Sequence, residues 1–173
     1  MTTWITSDAH FGHRKILQYC SRPFLGVEQM DWTIIKNWNE VVKPEDTTWV
    51  LGDFSFYSIE QTFNILNHLN GSIKFLLGDH DRWMEKILNQ HEQYHYCTDK
   101  FEYMGYMHVM KIKKVSITMC HYPLHEWKGS RHGGIDLHGH SHGNTPHKEN
   151  RYDVGVDVNK FYPVKLDKYL SVK

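Results

Sequence analysis

The sequence predicts an α/β fold, in the form of a four-layer α/β/β/α sandwich of two mixed sheets flanked by helices. Short apolar segments alternate with segments of helical periodicity over the first half of the chain. Three of these apolar segments end in Asp or His residues. After Leu88, strand-like segments follow one another without intervening helices, and we expect them to pair antiparallel in a second sheet.

In the first half, three strands should alternate with three helices. The first strand is rich in Thr, Trp and Ile, and the first helix carries Met30, Ile34 and Trp38 at helical spacing. Ser58 should cap the second helix and Asp81 the third. The predicted strands are residues 2–7, 47–51 and 73–77, and the predicted helices are residues 28–42, 58–67 and 82–88.

In the second half, the predicted strands are residues 94–97, 103–112, 115–119, 135–142 (a strand continuing into a loop) and 151–158. The loop at residues 124–134 is rich in Gly and charge, and we expect it to border a functional site.

Length and composition indicate a single domain over residues 1–173. The 20 acidic and 20 basic residues balance, so no global positive field recruits nucleic acid and no basic amphipathic segment suggests a membrane partner. Cys20, Cys97 and Cys120 are widely spaced and resemble reduced thiols. No signal peptide or long apolar run is apparent, so we expect a soluble, cytoplasmic protein.

Potential metal ligands follow the predicted strands. Ligands of open α/β sheets bind beyond the carboxyl ends of the strands, and this predicts that these side chains share one neighbourhood. Further along, His138, His140 and His142 alternate between glycines, so that an extended backbone would direct all three to one side. The side chains collected in this way are Asp8, His10, Asp53, Asp79, His80, His121, His140 and His142.

This mixture of carboxylate and imidazole groups suits Mn, Fe, Zn, Co or Ni better than Ca²⁺ or a thiolate-bound metal. The set is too large for one tetrahedral ion. Two divalent transition-metal ions roughly 3.5–4 Å apart, sharing one carboxylate, would use all of it. Such a pair can clamp a phosphate and activate a water molecule.

The order of these motifs resembles that of the calcineurin-like metallophosphoesterase superfamily, in particular a small bacterial and phage branch. The resemblance spans residues 5–157, and the five motifs together are far more specific than any one of them. In this chain they read Asp8-Ala9-His10, Gly52-Asp53, Gly78-Asp79-His80-Asp81, His121 and Gly139-His140-Ser141-His142.

The resemblance implies a role for each motif residue. Asp8, His10 and His142 would hold the first metal. Asp79, His121 and His140 would hold the second, and Asp53 would bridge both. His80 would act near the leaving oxygen as general acid or phosphate stabiliser, and Asp81 would orient it by accepting a hydrogen bond. His138 lies outside the ligand set, and we interpret it as a supporting or structural residue.

One position departs from the superfamily pattern, which usually has Asn where this chain has Asp79. With three carboxylates and two divalent ions, the charge of the ions and their ligands sums to about +1 instead of +2. We expect tighter metal binding but weaker attraction for a phosphate anion, and therefore lowered or altered activity.

The implied function is hydrolysis of phosphoric esters by attack of a metal-activated hydroxide, with manganese as the favoured metal. A phosphodiesterase acting on small or nucleotide phosphoesters is preferred, because monoester dianions gain most from a strongly positive site. The alternatives are a phosphomonoesterase, a catalytically weak metal-binding scaffold, and a nuclease, which the neutral charge disfavours. Candidate substrate contacts are His13, Arg14, Arg22, Arg82 and Arg131.

Overall fold

The computed structural model describes residues 1–89 and 100–170. The predicted strand at residues 94–97 and Cys97 lie outside the described residues, whereas Cys20 and Cys120 are free thiols. Nine strands are described: β1 (Thr3–Thr6), β2 (Thr47–Leu51), β3 (Ser72–Leu76), β4 (Phe101–Tyr103), β5 (Met107–Ile112), β6 (Val115–Cys120), β7 (Ile135–His138), β8 (Arg151–Asp153) and β9 (Val164–Lys165).

The helices of the described residues are α1 (Ile16–Tyr19), α2 (Val27–Val41), α3 (Ile59–His68), α4 (Arg82–Asn89) and α5 (Asp167–Leu170). Ser58 caps α3 as predicted: its hydroxyl accepts a hydrogen bond from Gln61 N, and Gln61 Oε1 accepts one from Ser58 N. The short helices α1 and α5 were not predicted, because four residues are too few to display helical periodicity.

The first sheet has the strand order β4-β3-β2-β1-β9. Strands β1 to β4 are parallel and β9 is antiparallel to β1. Helices α2, α3 and α4 cover its outer face, where Ile34, Leu66 and Met84 are buried in one apolar cluster with Val50 and Phe75. The parallel arrangement brings the ends of β1, β2 and β3 to one edge.

The second sheet has the strand order β5-β6-β7-β8. The expectation of antiparallel pairing is wrong for most of it: only β5 and β6 are antiparallel, and both other pairs are parallel. The long connections at residues 121–134 and 139–150 carry the chain back to the opposite end of the sheet, so that the next strand can run parallel to the one before it. Two predicted strands were also too long. Residues 103–112 divide between the two sheets, and 151–158 ends in a 3₁₀ turn, Val156–Val158.

The two mixed sheets pack face to face, with α2, α3 and α4 on the outer face of the first, and this confirms the predicted α/β sandwich. Ile5, Leu51, Ile117 and Leu137 meet in the apolar layer between the sheets. On the outer face of β7, the described covering is the loop at residues 124–134, in which Trp127 is buried, and not a long helix. No described helix combines the length and apolar character needed to cross a membrane.

Candidate metal centre

The predicted ligands meet where the carboxyl edges of the two sheets touch. The loop after β1 is held against the loop after β2, since Asp8 N donates to Gly52 O at 3.1 Å and His10 N to Asp53 O at 3.0 Å. His121 follows β6, and its Nδ1 lies 2.8 Å from Leu51 O. Two backbone hydrogen bonds and one from the His121 side chain therefore fix three ligand-bearing loops relative to one another.

The first donor group consists of Asp8, His10 and His142, whose potential ligand atoms all lie within 4.8 Å of one another. Asp8 and His10 are buried. Burial, followed by the charges of Arg22 and His142, lowers the pKa of His10 well below its usual range, which leaves the neutral imidazole that binds metals. Burial raises the pKa of Asp8 to about 7, against the opposing effect of His121 and His142.

The second donor group consists of Asp79, His121 and His140, again with ligand atoms within 4.8 Å. His121 is buried, whereas Asp79 and His140 are exposed, so this half of the site faces solvent. Asp79 Oδ2 lies 3.4 Å from His140 Nδ1, and the Tyr122 hydroxyl donates a hydrogen bond to Asp79 Oδ1. This hydrogen bond raises the pKa of Tyr122 to about 12, so the phenol stays protonated.

Asp53 lies between the two groups. Its Oδ2 is 3.5 Å from His10 Nε2 and 3.6 Å from His121 Nε2, so one oxygen faces a donor of each group. Its Oδ1 accepts a hydrogen bond of 2.9 Å from His80 N. This position is the one expected of a carboxylate shared between two ions.

The donor atoms fit divalent metal ions. The Nε2 atoms of His10 and His121 are buried and have no hydrogen-bond partner among the described residues, which is costly unless something else binds them. His121 Nδ1 must donate to the Leu51 carbonyl, and His142 Nδ1 donates to Asp157 Oδ2 at 2.7 Å. In the neutral ring each bond leaves Nε2 with its lone pair free for a metal.

The backbone at these positions is unusual. Five of the seven predicted ligands have left-handed backbone angles, with φ of 58° at Asp8, 54° at His10, 53° at Asp53, 65° at His140 and 46° at His142. Such conformations cost about 1–3 kcal/mol each in non-glycine residues and tend to cluster at functional sites. Their concentration here indicates a site whose geometry is imposed by the surrounding structure.

Glycines let the ligand loops approach each other. A Cβ on Gly139 would collide with the side chains of Ser7 and Asp8. A Cβ on Gly78 would lie 2.6 Å from Asp53 N. The glycines beside the predicted ligands are therefore required by close packing.

Asp81 was predicted to cap α4 and to orient His80, and the structure gives it a different role. Its buried carboxylate accepts hydrogen bonds from the backbone N–H groups of Asp53, Phe54 and Gly78 at 2.8–2.9 Å, and from the Trp83 indole at 3.2 Å. Among the described residues, neither His80 nor a backbone N–H group of α4 donates to this carboxylate. The carboxylate instead joins the loops after β2 and β3.

Arg22 is not a substrate contact. Its guanidinium is buried and all five of its N–H groups are engaged, with Asp157 Oδ1 and Oδ2, the carbonyls of Ala9 and Asp8, and Met30 sulfur. Asp157 also accepts the hydrogen bond from His142, and sequence reasoning missed this residue. The only signal available was an acidic residue soon after a late strand, which is too common to single out.

Of the remaining predicted site residues, His80 and His13 lie beside the donor groups, whereas three arginines lie on the surface. His80 has a side chain that is 46% exposed, with Nε2 4.0 Å from Asp53 Oδ2. His13 Nδ1 is 3.3 Å from His10 Nδ1, and its ring stacks on Phe56. Arg14 and Arg82 are exposed, and Arg131 pairs with Glu126 at 3.4 Å on the surface.

A third possible donor group and the predicted supporting residue His138 adjoin the site. Cys20, His142 and Asp157 also form a possible donor group, but burial raises the pKa of Cys20 to about 11, which disfavours a thiolate ligand. His138 is buried, and its Nδ1 donates to Gly139 O at 2.9 Å, consistent with the supporting role expected of it.

Comparison with known proteins gives relatives in archaea and phages. No family model matches the chain. The uncharacterized protein MJ1445 of Methanocaldococcus jannaschii is 34% identical over 174 residues, covering 95% of this chain and 86% of that protein. The Gene 66 protein of Mycobacterium phage L5 is 26% identical over 160 residues, covering 81% of this chain and 77% of that protein.

Among solved structures, a protein of unknown function, AQ665 from Aquifex aeolicus, matches 99% of both chains with a TM-score of 0.75 at 21% identity. This likeness shows a shared fold. An archaeal phosphodiesterase matches 90% of this chain and 82% of its own, with a TM-score of 0.49 at 17% identity.

Proposed function

This chain belongs to the family of the Methanocaldococcus jannaschii protein MJ1445, and we propose that it is a phosphoric ester hydrolase of the calcineurin-like metallophosphoesterase superfamily that uses two divalent metal ions. The observation that carries the proposal is the position of Asp53 Oδ2, 3.5 Å and 3.6 Å from two buried imidazole nitrogens that lack partners among the described residues. Paired donor groups around one shared carboxylate suit a two-metal clamp for phosphate.

In this proposal each metal has three ligands of its own and a share of Asp53. Asp8, His10 and His142 would hold one ion, and Asp79, His121 and His140 the other. The ions would supply Lewis acidity, neutralising phosphate charge and lowering the pKa of water. Manganese is the favoured metal, and Fe, Zn, Ni or Co also suit this donor set.

The chain's own residues would do the rest of the chemistry. His80 is half exposed beside Asp53, so its imidazole can reach a bound ester and donate a proton to the leaving oxygen. Asp81 would keep the loops of Asp53 and His80 together through its hydrogen bonds to Asp53 N and Gly78 N. These roles give His80 a chemical function and Asp81 a positioning function.

We favour small or nucleotide phosphodiesters as substrates. Asp79 adds a negative charge to the solvent-facing half of the site, which disfavours a phosphomonoester dianion more than a diester monoanion. The Tyr122 hydroxyl, bound to Asp79, would keep this carboxylate directed at the second donor group.

The proposal is tested by hydrolysis of bis-p-nitrophenyl phosphate and p-nitrophenyl phosphate after loading with Mn²⁺. The expected result is metal-dependent turnover with the diester preferred. His80→Gln should lower kcat by about 10²–10⁴-fold with metal content unchanged, as expected for loss of a general acid. His68→Ala serves as the matched control, because His68 is exposed on α3 and belongs to no donor group among the described residues.

Three outcomes would count against the proposal in different ways. Bound metal without turnover of either ester would favour the scaffold alternative. Preference for the monoester would indicate a phosphomonoesterase. Failure of the protein to bind metal would reject the two-metal centre itself.

A further inference from the structure

A cavity of about 440 Å³ lies beside His80, between the loop after β2 and helix α4. Its size falls within the range of small-molecule binding sites. The residues that give it its chemical character are Phe56, Ile59, His80, Arg82, Trp83 and Lys86.

The described residues that line the cavity include two cations, Arg82 and Lys86, and no anion. The two cations are four residues apart on α4 and therefore share one face of the helix. Both are exposed, and neither makes a hydrogen bond or ion pair within the described parts of the chain.

The cavity adjoins the candidate metal centre through His80, which lines the cavity and whose Nε2 lies 4.0 Å from Asp53 Oδ2. The ring centroid of His80 lies 4.8 Å from that of Phe56. Phe56 is 40% exposed, and its other ring contacts are with His13 at 3.9 Å and with the ligand His10 at 5.4 Å. A substrate with its phosphoester beside Asp53 would therefore reach this cavity by passing His80.

The walls of the cavity separate apolar from cationic groups. Phe56, Ile59 and Trp83 provide apolar surface, whereas Arg82 and Lys86 provide donors on α4 that have no partner among the described residues. Unpaired cations at a partly enclosed site attract anions, and the planar guanidinium suits phosphate oxygens in particular. The combination fits the sugar and second phosphate of a nucleotide better than an uncharged alcohol.

We infer that this cavity is a subsite for a second phosphate, so that nucleotides carrying a further phosphate on the group that lies over His80 bind preferentially. The inference rests on the proposed function and narrows its substrate class. It also assigns binding roles to Arg82 and to Lys86.

The test compares two nucleotides that differ only in one phosphate. Adenosine 5′-monophosphate and adenosine 3′,5′-bisphosphate are titrated into the Mn²⁺-loaded protein in a calorimeter. The expected result is that the bisphosphate binds about tenfold more tightly, because the second phosphate gains charge-assisted hydrogen bonds. The preference should weaken as salt concentration rises.

Variants assign the preference to the cavity. In Arg82→Gln/Lys86→Gln the affinity ratio of the two nucleotides should fall to about one. The matched control is Lys36→Gln/Lys111→Gln, which removes the same charge from exposed positions on α2 and β5 and should keep the ratio. Thermal unfolding of both variants checks that they are folded.

Equal binding of the two nucleotides by the wild-type protein, absence of binding, or an unchanged ratio in Arg82→Gln/Lys86→Gln would overturn the subsite. The same holds if the control variant loses the ratio equally. Turnover of bis-p-nitrophenyl phosphate separates the two proposals. Turnover without a bisphosphate preference rejects the subsite alone, whereas failure to bind metal or hydrolyse either model ester rejects the proposed function as well.

Discussion

Arg22 and Asp157 show how residues outside the donor groups determine their geometry. Asp157 accepts hydrogen bonds from Arg22 Nε and Nη2 at 2.8 Å and from His142 Nδ1 at 2.7 Å. Burial alone would raise the pKa of Asp157, but these hydrogen bonds lower it overall, so the carboxylate stays ionised. Burial would lower the pKa of His142, but the bond to Asp157 raises it overall. The ion pair thus orients a predicted metal ligand.

Asp157→Asn should weaken metal binding and also destabilise the fold, because the buried Arg22 loses its ion pair. The amide is nearly isosteric but is a poorer acceptor, so His142 would lose orientation and basicity. Loss of such a supporting partner typically costs about 10–100-fold in metal affinity. Mn²⁺ titration calorimetry measures the change, and Glu45→Gln, which removes an exposed carboxylate after α2, provides the control. Equal affinity in Asp157→Asn and wild type would show that this hydrogen bond has no bearing on metal binding.

At the scale of the element, β7 carries a polar residue with an unfavourable environment. Ile135 and Leu137 face the apolar layer between the sheets, and Asp136 between them is buried on the opposite face. Asp136 Oδ2 accepts from Leu124 N at 3.2 Å, whereas Oδ1 has no partner among the described residues. Thr118, its register partner on β6, has a buried hydroxyl that likewise lacks one. Burial raises the pKa of Asp136 to about 6.

Asp136→Asn should stabilise the protein at neutral and alkaline pH. The folded pKa lies above the unfolded value of 3.8, so the native state binds the proton more tightly, and stability from this group falls as pH rises from about 4 to about 6. A shift of this size corresponds to about 1–3 kcal/mol. Urea unfolding should show a larger gain for Asp136→Asn at pH 8 than at pH 4.5, whereas Glu45→Gln should show no such difference. An equal free energy of unfolding for Asp136→Asn and wild type at both pH values would contradict this prediction.

The elements differ in how far sequence could predict them. The three strands and three helices predicted for the first half were placed correctly, because local periodicity and the Ser58 cap define them, whereas the short α1 was missed. The parallel pairing of β6, β7 and β8 was missed because long connections determine it. In the site, Asp8, His10 and Asp53 stand out through motifs, whereas Arg22 and Asp157 are 135 residues apart and meet only in the fold. Asp81 was misjudged because its position before a helix does not reveal where its side chain points.

At the scale of the whole molecule, the candidate metal centre joins the two sheets. His121 Nδ1 donates to Leu51 O, and His140 N donates to the Asp8 carboxylate at 3.0 Å, so each sheet holds a ligand of the other. Asp8, Asp53 and His121 form a fully buried donor group at this junction. Without a cation the two carboxylates repel each other at low dielectric, which opposes the packing of the sheets.

Divalent ions should therefore stabilise the entire fold. A ligand that binds only the native state at a concentration of about 100 times its Kd adds about 2.7 kcal/mol. For a chain of this size, that raises Tm by about 5–11 °C. Differential scanning calorimetry with Mn²⁺ should show this shift, and a chelator should reverse it. Asp53→Asn should reduce the shift strongly because it removes the shared carboxylate charge, whereas His68→Ala on α3 should retain it. If Asp53→Asn and wild type gained equally, the ions would be stabilising the chain from a site other than the junction of its sheets.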